Sequence, residues 1–162
     1  RIAGYIKKAY KGALIVVNKW DLVKDSGQEA MEHAKKEIRK RFKSLPNAPI
    51  LFISAKLKQG TKKILPMARE IFGEMKKRIP TSLLNDELKK ILAAYPPASV
   101  KGENLEIFYA TQAEGAPPTF VFFVNDKNLV SASYKRYLEN KLQEHFGFGG
   151  IPLHLLFKDI GG

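Results

Sequence analysis

The run Ala13-Leu14-Ile15-Val16-Val17 is apolar without alternation and rich in β-branched side chains. That pattern predicts a parallel strand buried on both faces and central in its sheet. Residues 28–43 then carry Ala30, Ala34, Ile38 and Phe42 at four-residue spacing. They predict an amphipathic helix whose outer face holds Lys35, Lys36, Arg39, Lys40, Arg41 and Lys43. Residues 50–53, Ile-Leu-Phe-Ile, form a second buried strand, and residues 61–79 place Ile64, Leu65, Ala68, Ile71, Phe72 and Met75 on one side of a further helix. Pro66 fits only in that helix's first turn, so the helix is expected to start after Thr61.

Arg78-Ile79-Pro80-Thr81 reads as a linker, with Pro80 stopping one helix and Thr81 or Ser82 capping the next. The domain boundary is accordingly set between residues 1–80 and 81–162. In the second part, Leu83, Leu84, Leu88, Ile91 and Leu92 form a helical stripe that ends at Tyr95-Pro96-Pro97. Residues 105–111 and 119–125 read as strands joined by a loop too long for a two-residue hairpin, residues 129–146 as a helix and residues 151–157 as a third strand. The order α-β-β-α-β puts two helices over a small sheet, so the whole is α/β followed by α+β. Phe120 and Phe122 alternate with Val121 and Phe123, so both sheet faces are apolar and the face away from the helices is expected to pack on another domain.

With 162 residues and 44% hydrophobic content the chain can build one ordinary core or two small ones. No apolar run approaches the roughly 18 residues that cross a bilayer, and no signal-peptide pattern opens the chain. The absence of Cys excludes disulfides, thiolate metal sites and a Cys nucleophile, and is compatible with a cytoplasmic protein. A formal charge of +12 suits phosphate-rich partners. It is unevenly spread: residues 1–80 hold 20 Lys and Arg against 7 Asp and Glu, net +13, while residues 81–162 hold 8 against 9, net −1. The basic helix residues Lys35, Lys36, Arg39, Lys40, Arg41 and Lys43 are therefore candidates for RNA contact. His33, His145 and His154 lack ligand-like spacing, so no metal site is expected. Tyr134 and Tyr137 read as packing residues, and no nucleophile–base constellation stands out.

Asn18-Lys19-Trp20-Asp21 directly follows the first strand, where open α/β sheets bind ligands beyond their strands' carboxyl ends. It matches the NKxD motif of the GTPase superfamily. An Asp carboxylate offers two acceptor oxygens to guanine's ring N–H and exocyclic amine, a donor pair that adenine lacks, so Asp21 is the expected base reader. The second strand ends in Ser54-Ala55-Lys56, which resembles the superfamily's SAK motif. That resemblance implies that Asn18 contacts the base and supports the loop, and that Lys19 and Lys56 stack on opposite sides of the base plane. It also implies that the Ala55 N–H donates to the guanine oxygen and that Ser54 orients Asp21. No GxxxxGK[ST] phosphate loop is present. The one DxxG match, Asp159-Ile160-Gly161-Gly162, lies at the far end and reads as chance. The chain alone is thus expected not to hydrolyse GTP and to be a piece of a longer protein.

The second half carries Tyr109-Ala110-Thr111-Gln112, Gly115-Ala116-Pro117-Pro118-Thr119, Val124-Asn125-Asp126, Ser133-Tyr134-Lys135-Arg136-Tyr137-Leu138-Glu139-Asn140 and Gly150-Ile151-Pro152-Leu153. These resemble the C-terminal KH-like domain of the bacterial Der (EngA) family of double GTPases. The resemblance implies the end of a second GTPase domain followed by the KH-like domain, with further GTPase sequence upstream. It also implies GTP or GDP as ligand, magnesium in the longer protein only, and a cytoplasmic role on rRNA in maturation of the large ribosomal subunit. Ordinary KH domains clamp nucleotides with a GxxG loop between helices, and residues 81–162 are read as lacking one, which favours docking over conventional single-strand binding. Two alternatives stay open: an Era-type GTPase, and a stand-alone RNA- or protein-binding module with a vestigial guanine pocket.

Overall fold

A computed structural model describes residues 2–23, 27–99 and 102–160. The chain divides into two compact units, Arg1–Met75 with Gly149–Pro152, and Lys76–Phe148 with Leu153–Gly162. The cut expected at 80/81 therefore falls earlier, and four later residues group with the first unit. The earlier cut has a local cause in the second unit. Gln112 Nε2 donates to the Lys77 carbonyl at 2.8 Å, the Ile79 N–H donates to Gln112 Oε1 at 2.7 Å, and Arg78 donates to the Ala113 carbonyl at 2.7 Å. The supposed linker is thus hydrogen-bonded to a strand.

In the first unit, α1 (Ile2–Lys8) precedes β1 (Ile15–Val17), α2 (Gln28–Arg41), β2 (Ile50–Phe52) and α3 (Ile64–Glu74). The sequence reading assigned nothing at α1. Strands β1 and β2 pair in parallel, Ile15 with Ile50, Val16 with Leu51 and Val17 with Phe52. The expected burial of β1 on both faces is corrected: Val16 is 39% exposed and its neighbours are half-buried, because among the described residues this sheet has two strands and little to cover its outer face. Helix α3 begins after the 3-10 turn Thr61–Lys63, which leaves Pro66 in its first turn. Its apolar stripe is only partly used: Ile71 is buried, whereas Leu65 and Phe72 are 74% and 60% exposed. A narrow two-stranded layer can cover only part of so wide a stripe.

The second unit contains α4 (Thr81–Ala94), β3 (Ile107–Gln112), β4 (Thr119–Val124), α5 (Ala132–Phe146) and β5 (His154–Asp159). The sheet order is β3-β4-β5, with β3 antiparallel and β5 parallel to the central β4. Pleat alternation sends Ala110, Phe120, Phe122, Val124 and Leu155 into the core with Leu84, Leu88 and Ile91 of α4 and Leu138 and Leu142 of α5, all of them buried. On the opposite face Tyr109 stacks on Phe123, ring centroids 4.4 Å apart, and Tyr109 and Leu156 remain exposed. Neither Thr81 nor Ser82 caps α4; Pro80 occupies the N-cap position without a side-chain bond. Ser131 caps α5 instead, its Oγ accepting from the Tyr134 N–H at 3.1 Å.

The C-terminal end of α4 is closed by tyrosines. Tyr134 Oη donates to the Tyr95 carbonyl at 2.9 Å, an acceptor at the helix end, and Tyr137 Oη donates to the Ile91 carbonyl at 3.0 Å, adding a second bond to the one that carbonyl accepts from the Tyr95 N–H. Burial, with smaller contributions from Tyr137 and Tyr95, pushes the Tyr134 phenol from its ordinary value up to about 12. Between pH 10 and 12 the unfolded phenol loses its proton while the folded one keeps it, so this group's stabilisation fades as pH rises through that window. Tyr134→Phe should cost about 1 kcal/mol at neutral pH through the lost hydrogen bond, yet flatten the alkaline decline. Urea unfolding at pH 7 and between pH 9.5 and 12 checks this, and an equally steep decline in the variant would clear Tyr134 of the effect.

Candidate functional site

The two motifs stand at the carboxyl ends of the paired strands. β1 ends at Val17 and runs into Asn18, and the Ile53 N–H continues the ladder to the Val17 carbonyl at 2.9 Å. Lys19 adopts the left-handed conformation, φ 63°, which turns the chain into the 3-10 turn Trp20–Leu22 that contains Asp21. The loop is then pinned to β2's extension twice. The Trp20 N–H donates to the Ile53 carbonyl at 3.0 Å, and the Trp20 ring packs on Phe52 with centroids 4.3 Å apart.

Asn18 Oδ1 accepts from its neighbour's N–H at 2.7 Å and from the Ala55 N–H at 3.0 Å, bridging 37 residues of sequence. The amide that the GTPase resemblance gives to the guanine oxygen is thus held by Asn18, and a base would share or displace that bond. Ser54 is buried at 1% exposure, and its Oγ accepts from the Leu57 N–H at 3.1 Å. It makes no bond to Asp21 among the described residues; its hydroxyl shapes its own loop. Lys19, Asp21 and Lys56 are exposed.

Gln59 and Gly60 were missed by the sequence reading. Ser54 and Gln59 exchange both backbone hydrogen bonds at 3.0 Å, closing the loop. Gly60 has φ 72°, and a Cβ there would lie 2.8 Å from the Phe52 carbonyl oxygen. Only glycine combines that backbone conformation with so close an approach. The six-residue spacing from Ser54 to a glycine was the available signal. Beside the loop, Trp20, Val23, Glu29, Ala30, His33 and Ala34 line an open cavity of about 520 Å³, and Trp20 Nε1 is buried with no partner among the described residues.

The basic helix is less uniform than its sequence. Lys35 pairs with Glu32 and Lys40 with Glu37, each at 2.6 Å, and each carboxyl is held below its ordinary range by the hydrogen bond and charge of its lysine. Arg39 donates to the Pro46 carbonyl and to the Ala48 carbonyl at 3.4 Å, so it secures the loop after α2. Lys36, Arg41 and Lys43 are exposed, Lys43 just beyond the end of α2, and Lys36 and Arg41 act on Glu32 and Glu37 only through weaker charge attraction.

Three chance-looking features are also placed. Gly147-Phe148-Gly149-Gly150 does have GxxG spacing, which corrects the reading that residues 81–162 lack it. It lies between α5 and β5 and not between two helices, and the Gly150 carbonyl accepts from the Ala13 N–H at 2.7 Å. Asp159 of the DxxG match accepts from the Lys127 N–H at 2.6 Å, while Gly161 and Gly162 lie outside the described residues. His145 Nδ1 lies 2.9 Å from Glu87 Oε1, a carboxylate that α4 brings to it. Among the described residues no helix is long and apolar enough to cross a membrane.

An α/β segment with NKxD and SAK at its strand ends, followed by two helices on a three-stranded α-β-β-α-β sheet, defines a GTPase-type segment joined to a KH-like domain. Residues 78–158 match the family described as the KH-domain-like of EngA bacterial GTPase enzymes, C-terminal. The chain belongs to this EngA family. It is 45% identical over 158 residues to the GTPase Der of Chloroflexus aggregans, covering 97% of this chain and 35% of that protein. To the GTPase Der of Streptococcus pneumoniae strain Hungary19A-6 it is 46% identical over 156 residues, 96% of this chain and 36% of that one. The chain thus spans about a third of the length of the curated relatives it matches. The Era-type alternative gives way to this assignment.

Proposed function

We propose that this chain is the guanine-reading and ribosome-docking part of a cytoplasmic GTP-binding factor that matures the large ribosomal subunit. The observation that carries the guanine reading is the Asn18 bridge: one side-chain oxygen joins the NKxD loop to the Ala55 N–H and sets the two motifs side by side. Asp21, exposed and without a bond among the described residues, is available to accept the two guanine donors. Lys19 and Lys56 supply methylene stems for the base plane, while Ser54 and Gln59 keep the loop closed. GTP or GDP is the ligand, and its phosphates and magnesium are held by a phosphate loop that belongs to the longer protein and its further GTPase sequence. The base contacts select; they do not move a phosphoryl group. The rRNA partner is met by the basic first unit, with the KH-like unit as a docking module.

A second reading, a stand-alone RNA- or protein-binding module with a vestigial pocket, is favoured by the Ala55 N–H already being engaged. One titration separates them, because Trp20 is the single tryptophan and sits inside the NKxD loop. The purified chain should show a Trp20 emission change with millimolar GDP or GTP, little with ADP or ATP, and no magnesium-dependent phosphate release above a protein-free blank. Equal responses to guanine and adenine nucleotides would leave the module reading standing, and genuine turnover would show that phosphate chemistry resides in these residues after all.

A further inference from the structure

Strands of three residues in a two-stranded parallel pair hold few hydrogen bonds, and such a pair fixes its own register weakly. Yet the Asn18 to Ala55 bridge at 3.0 Å tolerates no slip, since moving one strand by a single residue displaces its partner by about 3.3 Å. Something must hold the far end of the pair. At that end, the segment Gly149–Pro152 is grouped with the first unit although the chain on both sides of it belongs to the second. The Ala13 N–H donates to the Gly150 carbonyl at 2.7 Å, and the Ile15 N–H donates to the Pro49 carbonyl at 2.9 Å. Gly150 has φ 78°, and a Cβ on it would stand 2.5 Å from the Ala13 carbonyl oxygen and 2.8 Å from Pro49 Cδ. It therefore rests against the residues that lead into both strands at once. Ile151 beside it is 1% exposed, and Gly12 lies against Ile71, Met75 and Ile151, so the segment is also embedded in apolar packing.

We propose that Gly149–Pro152 is a positioning clasp for the guanine-reading loops, with Gly150 holding the starts of β1 and β2 in register and thereby the spacing of Asn18 and Ala55 at their ends. The GxxG spacing at residues 147–150 then serves this clasp and not a nucleotide clamp, because the Gly150 carbonyl and its open α-carbon are both committed to Ala13 and Pro49. The functional consequence rests on the guanine reading above; the mechanical one does not.

The test uses the full chain without nucleotide and follows two readouts, Trp20 emission and hydrogen exchange resolved by peptide. Gly150→Ala meets both the left-handed backbone and the collision, whereas Gly115→Ala, at φ 100° with nothing within 4 Å of an added Cβ, meets the backbone penalty alone and serves as control. Gly150→Ala should speed exchange in residues 13–20 and 50–60 roughly ten- to hundredfold and shift Trp20 emission to the red, leaving residues 119–146 protected as in the parent. Gly115→Ala should leave residues 13–20 and 50–60 and the Trp20 emission unchanged. Should Gly150→Ala fail to fold, Ile151→Ala carries the test and is expected to give the same localised pattern at roughly tenfold. Unchanged exchange at residues 13–20, or equal acceleration in both units, overturns the clasp. If these outcomes are met but the nucleotide titration of the parent chain shows no base selectivity, the guanine reading falls and the clasp stands.

Discussion

Asp21→Asn, placed in a polypeptide that joins this chain to a phosphate loop, should weaken guanine nucleotide binding roughly a hundred- to ten-thousandfold and shift preference toward xanthine nucleotides. The size follows from the chemistry. Asp21 sits in the 3-10 turn Trp20–Leu22, exposed, and in the proposed function its two carboxylate oxygens accept from guanine's ring N–H and exocyclic amine. A hydrogen bond to a charged group contributes about 1.5–3 kcal/mol and about 1.4 kcal/mol is tenfold in affinity; the amide loses one such bond, sets a donor against a donor in its place and removes the charge behind the other, which together reach that range. An amide in place of one oxygen turns an acceptor into a donor, which faces guanine's amine badly and xanthine's oxygen well. Competition binding with guanosine, xanthosine and adenosine diphosphates measures the ratio directly. A variant whose guanine-to-xanthine ratio equals the parent's would remove Asp21 from base reading, and turnover per bound nucleotide should stay intact, since a base-reading residue touches no reacting phosphate.

For ribosomal RNA, substituting Lys36, Arg41 and Lys43 together by Gln should lower the slope of log affinity against log salt by about 2–3, because each phosphate neutralised contributes about 0.7–0.9. This set differs from the whole basic helix for a structural reason. Lys35 and Lys40 already share their charge with Glu32 and Glu37, and Arg39 ties down the loop through the Pro46 and Ala48 carbonyls. Replacing Arg39 would disturb the fold and confuse the measurement. The companion variant Lys35→Gln with Lys40→Gln should change the slope by less than half as much, since its lysines reach phosphate only by giving up a carboxylate. A salt series from about 50 to 200 mM on ribosomal RNA compares both with the parent. Identical slopes for all three proteins would move the RNA surface away from α2.

What the sequence by itself determined is whatever depends on contiguous pattern. The apolar runs at residues 13–17 and 50–53 contain the strands Ile15–Val17 and Ile50–Phe52, the motifs came to stand at their carboxyl ends, and the described residues after Pro80 formed helices over a three-stranded sheet. Period and punctuation set these, since each rests on neighbours within a few residues. Which atom meets which partner was decided only by the tertiary structure. Nothing local says that Asn18 Oδ1 takes the Ala55 N–H across 37 residues, that Ser54 turns to Leu57, or that Arg39 directs its guanidinium to carbonyls while Lys36 stays exposed. The burial of β1 was over-read for the same reason: an apolar run states that a strand can be covered, and the surrounding layers decide whether it is. Gly147-Phe148-Gly149-Gly150 shows the limit most plainly. Its spacing fits a nucleotide clamp as well as it fits a clasp, and only the position of Ala13 and Pro49 against Gly150, fixed by contacts more than 100 residues apart in the chain, tells them apart.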